Sequence, residues 1–122
     1  FPTRRSSDLV YTGTHDNDTV MGWYDTLKGA DKKLCDDYLR LKNADGEPIP
    51  REQLPWEFVR AAMSSVADLA IIPMQDYLGL GSEARINIPS TLGINWKWRM
   101  GNGDFTKELA GRIRSMTKLY GR

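Results

Sequence analysis

Leu69-Ala70-Ile71-Ile72-Pro73-Met74 is a continuous apolar run set between a helical pattern and a polar, glycine-containing loop. A half-exposed strand alternates apolar and polar residues, so an unbroken run reads as a strand covered on both faces. Pro73 has no N–H to donate to a sheet and fits only near the end of the run. Upstream, Val10 to Thr12 reads as the last part of another strand, and Gly13 turns the chain out of it. Pro55 to Ala67 predicts a helix, with Pro55 in the first turn and Phe58, Val59, Ala62, Met63 and Val66 as its buried stripe. Asp31 to Leu41 predicts an amphipathic helix that buries Leu34, Tyr38 and Leu41, and Val20 to Leu27 reads as a helix start or a capping loop. Asn43 to Pro50, with Asp45-Gly46 and two prolines, reads as an exposed turn.

Beyond Met74 the segment Asp76 to Arg99 is rich in Gly, Asn and Pro and has little periodicity. Long loops without secondary structure of their own are uncommon inside domains unless they serve a function. Thr106 to Tyr120 then predicts a closing helix, with Thr106 as its cap and Leu109, Ile113, Met116 and Tyr120 on one face. The order strand, helices, strand, long loop, helix indicates an α/β protein built of parallel βα units, with sites at the C-terminal ends of the strands. Two strands cannot close a sheet, so the chain reads as a slice of a larger barrel.

The 122 residues suffice for one domain, and 40% hydrophobic with 27% charged residues is an ordinary globular composition. Seventeen basic against sixteen acidic side chains leave a net charge of +1, so composition implies no attraction to nucleic acid or to a membrane surface. No apolar run approaches the roughly 20 residues that span a bilayer. The single Cys35 excludes an internal disulfide and any multi-cysteine metal site, and fits a reducing cytoplasm. Phe1 to Leu9 has neither helical nor strand period, no initiator methionine and no apolar signal-peptide core. It resembles the translation of a sequencing-adapter oligonucleotide. Residues 1–8 are therefore expected not to be native, with 9–122 belonging to a longer reading frame; the alternative is a disordered native N-terminus.

Three segments carry chemistry. Tyr11-Thr12-Gly13-Thr14-His15-Asp16-Asn17-Asp18-Thr19 sets an imidazole beside two carboxylates at the end of a strand. Adjacent His-Asp also occurs in metal-dependent phosphohydrolases, but there on helices. A calcium loop is disfavoured because Val20 follows and the turn glycine is missing. Alternatively, Asp16 or Asp18 simply caps the following helix. The second segment is Asn87-Ile88-Pro89-Ser90-Thr91 with Gly93-Ile94-Asn95-Trp96-Lys97-Trp98-Arg99. Asparagine amides donate and accept, which suits sugar hydroxyls, and indole faces stack on the C–H face of a pyranose. Trp96 and Trp98, at strand-like spacing, share one face and equally suit packing against a neighbouring helix. In the third, Gln75 to Arg85, Gly79 and Gly81 permit a tight loop beneath a ligand that Glu83 and Arg85 orient, or form an ordinary turn with a surface ion pair.

Together these segments resemble the 4-α-glucanotransferases of the amylomaltase, or disproportionating enzyme, family. The resemblance rests on Tyr11 to Thr19, Pro55-Trp56-Glu57, Ala70 to Asp76, Leu78 to Arg85, Asn87, Pro89 and Asn95-Trp96-x-Trp98-Arg99, in that order. It departs at Ser90 and Ile94, where glycine is expected. The resemblance implies a partial (β/α)8 barrel, of which 9–122 supply the last two βα units of the catalytic domain. It implies transfer of α-1,4-glucan segments between maltodextrins, with retention, through a glycosyl-enzyme. That chemistry uses a nucleophilic and an acid/base carboxylate about 5–5.5 Å apart, and in the family both lie on earlier strands, outside this chain. The fragment alone is therefore expected to be inactive. Asp16 corresponds to the carboxylate that stabilises the transition state by holding sugar hydroxyls, and His15 to a donor on the same glucose unit. Asn87, Asn95 and Trp96 are expected to bind substrate or hold its loop. No metal or organic cofactor is implied. The other function class open to the sequence is a non-catalytic α-glucan-binding remnant.

Overall fold

The computed structural model describes residues 8–122. The expectation about residues 1–8 therefore lies outside the described residues, apart from Asp8, whose carbonyl accepts from the N–H groups of Asp68 and Leu69. The elements are β1 (Leu9–Tyr11), α1 (Val20–Thr26), α2 (Gly29–Tyr38), α3 (Leu54–Met63), β2 (Leu69–Ile71), α4 (Met74–Tyr77) and α5 (Lys107–Leu119). Short 3-10 turns at Arg51–Gln53 and Ser82–Ala84 lead into α3 and follow α4.

β1 and β2 pair in parallel, with Leu9 opposite Leu69, Val10 opposite Ala70 and Tyr11 opposite Ile71. Side chains alternate along a strand, so Leu9, Tyr11, Leu69 and Ile71 share one face and Val10 and Ala70 the other. Val10 borders a hollow with Phe58, Ala61 and Ala62, so that face is the helical one. The opposite face is open, and all four of its side chains are about half exposed. The expectation that the Leu69–Met74 strand is covered on both faces is thus corrected for this chain. A continuous apolar run records what the strand is suited to bury, and this two-stranded sheet supplies one cover only.

α3 is the hub of the helical layer. Leu54 joins Val20, Met21, Tyr24 and Leu41 in one buried cluster, while Trp56, Val59 and Met63 join Met116 of α5 in another. Leu109, Ile113 and Tyr120 pack against the second cluster, as the spacing of α5 predicts, and Thr106 caps that helix by accepting from Leu109 N–H. Phe58 meets Trp23 and Tyr24 edge-on. Val66 does not extend the stripe: α3 stops at Met63 and Val66 is 98% exposed. Two sets of bonds hold the bend that follows: Ser64 Oγ donates to the Ala61 carbonyl and Ser65 Oγ accepts from Ala67 N–H, while the Arg122 guanidinium donates to the carbonyls of Met63, Ser65, Ala67 and Asp68.

The helix at α2 forms, but its predicted core face does not. Leu34 and Tyr38 are 68% and 81% exposed, and Leu41 is buried only beyond the helix end. The residue that α2 buries is Asp36, which accepts from Tyr24 Oη at 2.6 Å and from Lys32 Nζ at 3.0 Å. Burial disfavours its charge, yet the Tyr24 and Lys32 hydrogen bonds outweigh burial and hold the carboxyl below its ordinary value. This polar anchor fixes which side of α2 faces inward. It turns the apolar stripe to the outside.

Candidate functional site

The loop from Thr12 to Thr19 leaves the C-terminal end of β1 and enters α1. It is a built turn: Asn17 Oδ1 accepts from Thr14 N–H at 2.7 Å and from Thr14 Oγ1 at 3.0 Å, and Asn17 N–H donates to Thr14 O. His15 and Asp16 stand at the tip of this turn, each about half exposed, with His15 Nε2 at 3.3 Å from Asp16 Oδ2. A protonated imidazole would pair with that oxygen directly.

Neither aspartate caps α1. The cap is Thr19, whose hydroxyl accepts from Gly22 N–H at 3.1 Å. Asp18 instead accepts from Thr19 N–H at 2.8 Å and from Ser82 Oγ at 2.6 Å, tying the loop to the segment that follows β2. Gly22 makes room for this, since a Cβ there would lie 2.6 Å from either Asp18 oxygen.

The other wall comes from residues after α4. Asn87 Nδ2 donates to Asp16 Oδ1 at 2.7 Å. Arg85 donates from Nη2 to the Asp16 carbonyl at 2.7 Å and from Nε to the Asn87 carbonyl at 2.9 Å, so one guanidinium links the two walls. Glu83 accepts from Gly81 N–H, and of the two readings of this stretch, the turn with a Glu83–Arg85 surface pair gives way to these contacts. Trp96 lies over His15 with ring centroids 4.9 Å apart and planes tilted by 36°. Its backbone is left-handed (φ 64), no strand forms there, and the shared face expected for Trp96 and Trp98 is not made. Trp98 instead lines a cleft of about 430 Å³ together with His15, Asn17, Asp76 and Ile71. Asn95 spends its amide on its own loop: Oδ1 accepts from Ile88 N–H and Nδ2 donates to Thr91. The structure therefore brings His15, Asp16, Asn87 and Trp96 together and sets Asn95 behind them as a brace.

Two supporting residues stand out less in sequence. Asp76, 1% exposed, accepts from Thr12 Oγ1 and from Val20 N–H at 2.9 Å. Burial pushes its carboxyl upward, the two hydrogen bonds pull it back, and the Asp18 charge adds to the rise. Arg85, read in sequence as orienting a ligand or pairing on the surface, instead bonds the Asp16 and Asn87 carbonyls, and nothing near it in sequence names Asp16 as its target. An acidic residue two positions past the apolar run Leu69–Met74 is the signal for Asp76. Among the described residues, no group of three or more His, Cys, Asp or Glu is placed to hold a metal ion. Nor, among them, is any helix long and apolar enough to cross a membrane.

Residues 3–105 match the family described as 4-alpha-glucanotransferase. The chain is 46% identical over 115 residues to a 4-alpha-glucanotransferase of Clostridium butyricum, covering 93% of this chain and 22% of that protein. It is 45% identical over 112 residues to that of Thermus thermophilus, covering 90% of this chain and 22% of the relative. With the chloroplastic/amyloplastic enzyme of Arabidopsis thaliana the identity is 44% over 119 residues, covering 95% and 19%. The fold is similar to that of an amylomaltase from Streptococcus agalactiae solved in complex with acarbose, with a TM-score of 0.82 at 32% identity over 93% of this chain and 22% of that one. The chain thus spans about a fifth of the length of the relatives it matches.

Proposed function

Because the chain belongs to the 4-alpha-glucanotransferase family, we propose that it forms the last two βα units of a (β/α)8 catalytic barrel and one wall of its active site. The whole enzyme moves α-1,4-glucan segments between maltodextrins with retention of configuration. Its nucleophile and acid/base stand on earlier strands, and the piece in hand contributes binding and transition-state stabilisation. The parallel pairing of β1 and β2, with the polar loops gathered at their C-terminal ends, supports this placement.

One observation carries the assignment of Asp16. Its carboxylate is fixed from one side by Asn87 Nδ2 and flanked by His15 Nε2, yet remains about half exposed. An ionised carboxylate offers about four acceptor directions, so lone pairs remain for sugar hydroxyls. Hydrogen bonds from ring hydroxyls strengthen as the sugar flattens toward an oxocarbenium ion and are worth several kcal/mol. His15 donates to the same glucose unit, and Trp96, stacked over His15, offers its remaining indole surface to a pyranose face. Asn87 holds Asp16 and Asn95 holds the loop that presents Trp96. Cytoplasm is the compartment assigned on the lone Cys35, although the plant relatives are chloroplastic or amyloplastic.

In the full-length enzyme, Asp16→Asn is expected to leave the fold intact and lower turnover by about 10²–10³-fold, the equivalent of losing several kcal/mol from the transition state alone. Glucose release from maltotriose measures it. Near-parental turnover by a folded Asp16→Asn protein would remove Asp16 from the chemistry.

A further inference from the structure

The loop bearing His15 and Asp16 is closed at its base by a single buried side chain. Asp76 stands in α4 just past β2; one of its oxygens accepts from Thr12 Oγ1, at the loop's first residue, and the other from Val20 N–H, immediately beyond its last. The carboxylate therefore spans from the end of β1 to the start of α1, across sequence separations of 64 and 56 residues. The geometry points to Asp76 as a positioning residue that sets where Asp16 and His15 stand relative to the rest of the site, an inference that rests on the reading of Asp16 given above.

Packing alone does not account for this arrangement. Satisfying Val20 N–H, the first donor of α1, takes one acceptor, and the Thr19 cap hydroxyl serves Gly22 N–H instead. The second oxygen of Asp76 adds nothing to the helix end. It reaches to Thr12, so that both ends of the loop are fixed against α4. Ser82 and Arg85, which follow Asp76 on the same stretch of chain, hold Asp18 and the Asp16 carbonyl. Among the described residues, these long-range hydrogen bonds to the loop all come from residues 76–87, and Trp96 adds only a ring contact with His15. Asp76 is the only one of these anchors that is buried. Burial raises its carboxyl above the ordinary value, so the group is kept at a cost to stability.

The test uses the full-length enzyme, with kcat and KM for glucose release from maltotriose measured separately well below the unfolding temperature. Asp76→Ala is expected to lower kcat by about 10²-fold, the scale set by misplacing a catalytic group by roughly 1 Å. KM should stay within about threefold, because an interaction that acts in the transition state is being lost rather than one used equally in binding. Asp76→Asn keeps an acceptor for Val20 N–H and an amide that can donate to Thr12 Oγ1, and should recover most of the lost kcat. Thr12→Val, which cuts one arm, should lower kcat by about tenfold, whereas Thr12→Ser should come within about threefold of the parent. A folded Asp76→Ala enzyme with parental kcat overturns the inference, as does a change in KM alone. Should Asp76→Ala fail to fold, the Thr12 pair decides: equal kcat for Thr12→Val and Thr12→Ser overturns it. Asp16→Asn serves as reference. If it retains turnover, the reading of Asp16 falls. If it is inactive while Asp76→Ala and Thr12→Val keep parental kcat, the role of Asp76 alone is refuted.

Discussion

Ser90 holds a left-handed backbone (φ 63), a region that costs a side chain with a Cβ about 1 kcal/mol and glycine almost nothing. It is also a position where this chain departs from the glycine its family resemblance leads one to expect. At Ile94 the departure is harmless, because the left-handed turn falls on Gly93 (φ 116) instead. Ser90→Gly should therefore stabilise the full-length enzyme by about 0.5–1 kcal/mol in denaturant unfolding, less any loss from a more flexible unfolded chain. Asp76 gives a pH signature of its own. Its folded carboxyl lies above the ordinary 3.8, raised mainly by burial and opposed by Thr12 and Val20. The folded state thus binds the proton more tightly than the unfolded one, and stability is lost as pH rises from near 3.8 through the raised folded value. Asp76→Asn abolishes this loss. Its stability relative to the parent should grow over that window and then level off. A difference that stays flat with pH would mean that the carboxylate is not desolvated.

Arg122 closes α3 from outside the helix, its guanidinium donating to four carbonyls in the stretch that connects α3 to β2. A cation near a helix C-terminus also complements the partial negative charge there. Arg122→Ala should cost about 1–3 kcal/mol, since charge-assisted bonds to partly buried carbonyls are lost together. Unfolding measurements check the magnitude, and faster amide exchange confined to residues 64–69 checks the location. The same bend shows where local sequence reading stops. The spacing of α5 was fully legible, because Leu109, Ile113, Met116 and Tyr120 meet one neighbour and nothing overrides them. The end of α3 was only partly legible: Ser64 and Ser65 bond locally there, but the guanidinium that gathers the following carbonyls lies more than fifty residues away. α2 was misread in orientation for a related reason. Its apolar residues looked like the buried stripe, whereas the Tyr24–Lys32–Asp36 triad decides what faces inward.

The whole chain presents a half-covered sheet. Leu9, Tyr11, Leu69 and Ile71 form an apolar face with no layer over it among the described residues. Exposed apolar strands with free edges invite association. The 122-residue chain on its own is expected to show no glucan transfer and to self-associate or bind an apolar dye, whereas the full-length enzyme does neither of the latter. Transfer by the isolated chain would contradict the placement of the nucleophile and acid/base elsewhere. In the site, residue types and their order were readable from sequence, but partnerships were not. Asp16 with Asn87, Asp18 with Ser82 and Asp76 with Thr12 are separated by 71, 64 and 64 residues. That spacing has a kinetic consequence. Closing long loops costs entropy before any contact returns it, and folds dominated by distant contacts form slowly. α3 and α5 can each form from neighbouring turns, whereas their packing on one another spans more than fifty residues. The His15–Asp16 turn has its own local bonds, but its position against the second wall of the pocket depends on β1 having found β2, so this wall is expected to be made late, and hydrogen exchange during refolding checks it.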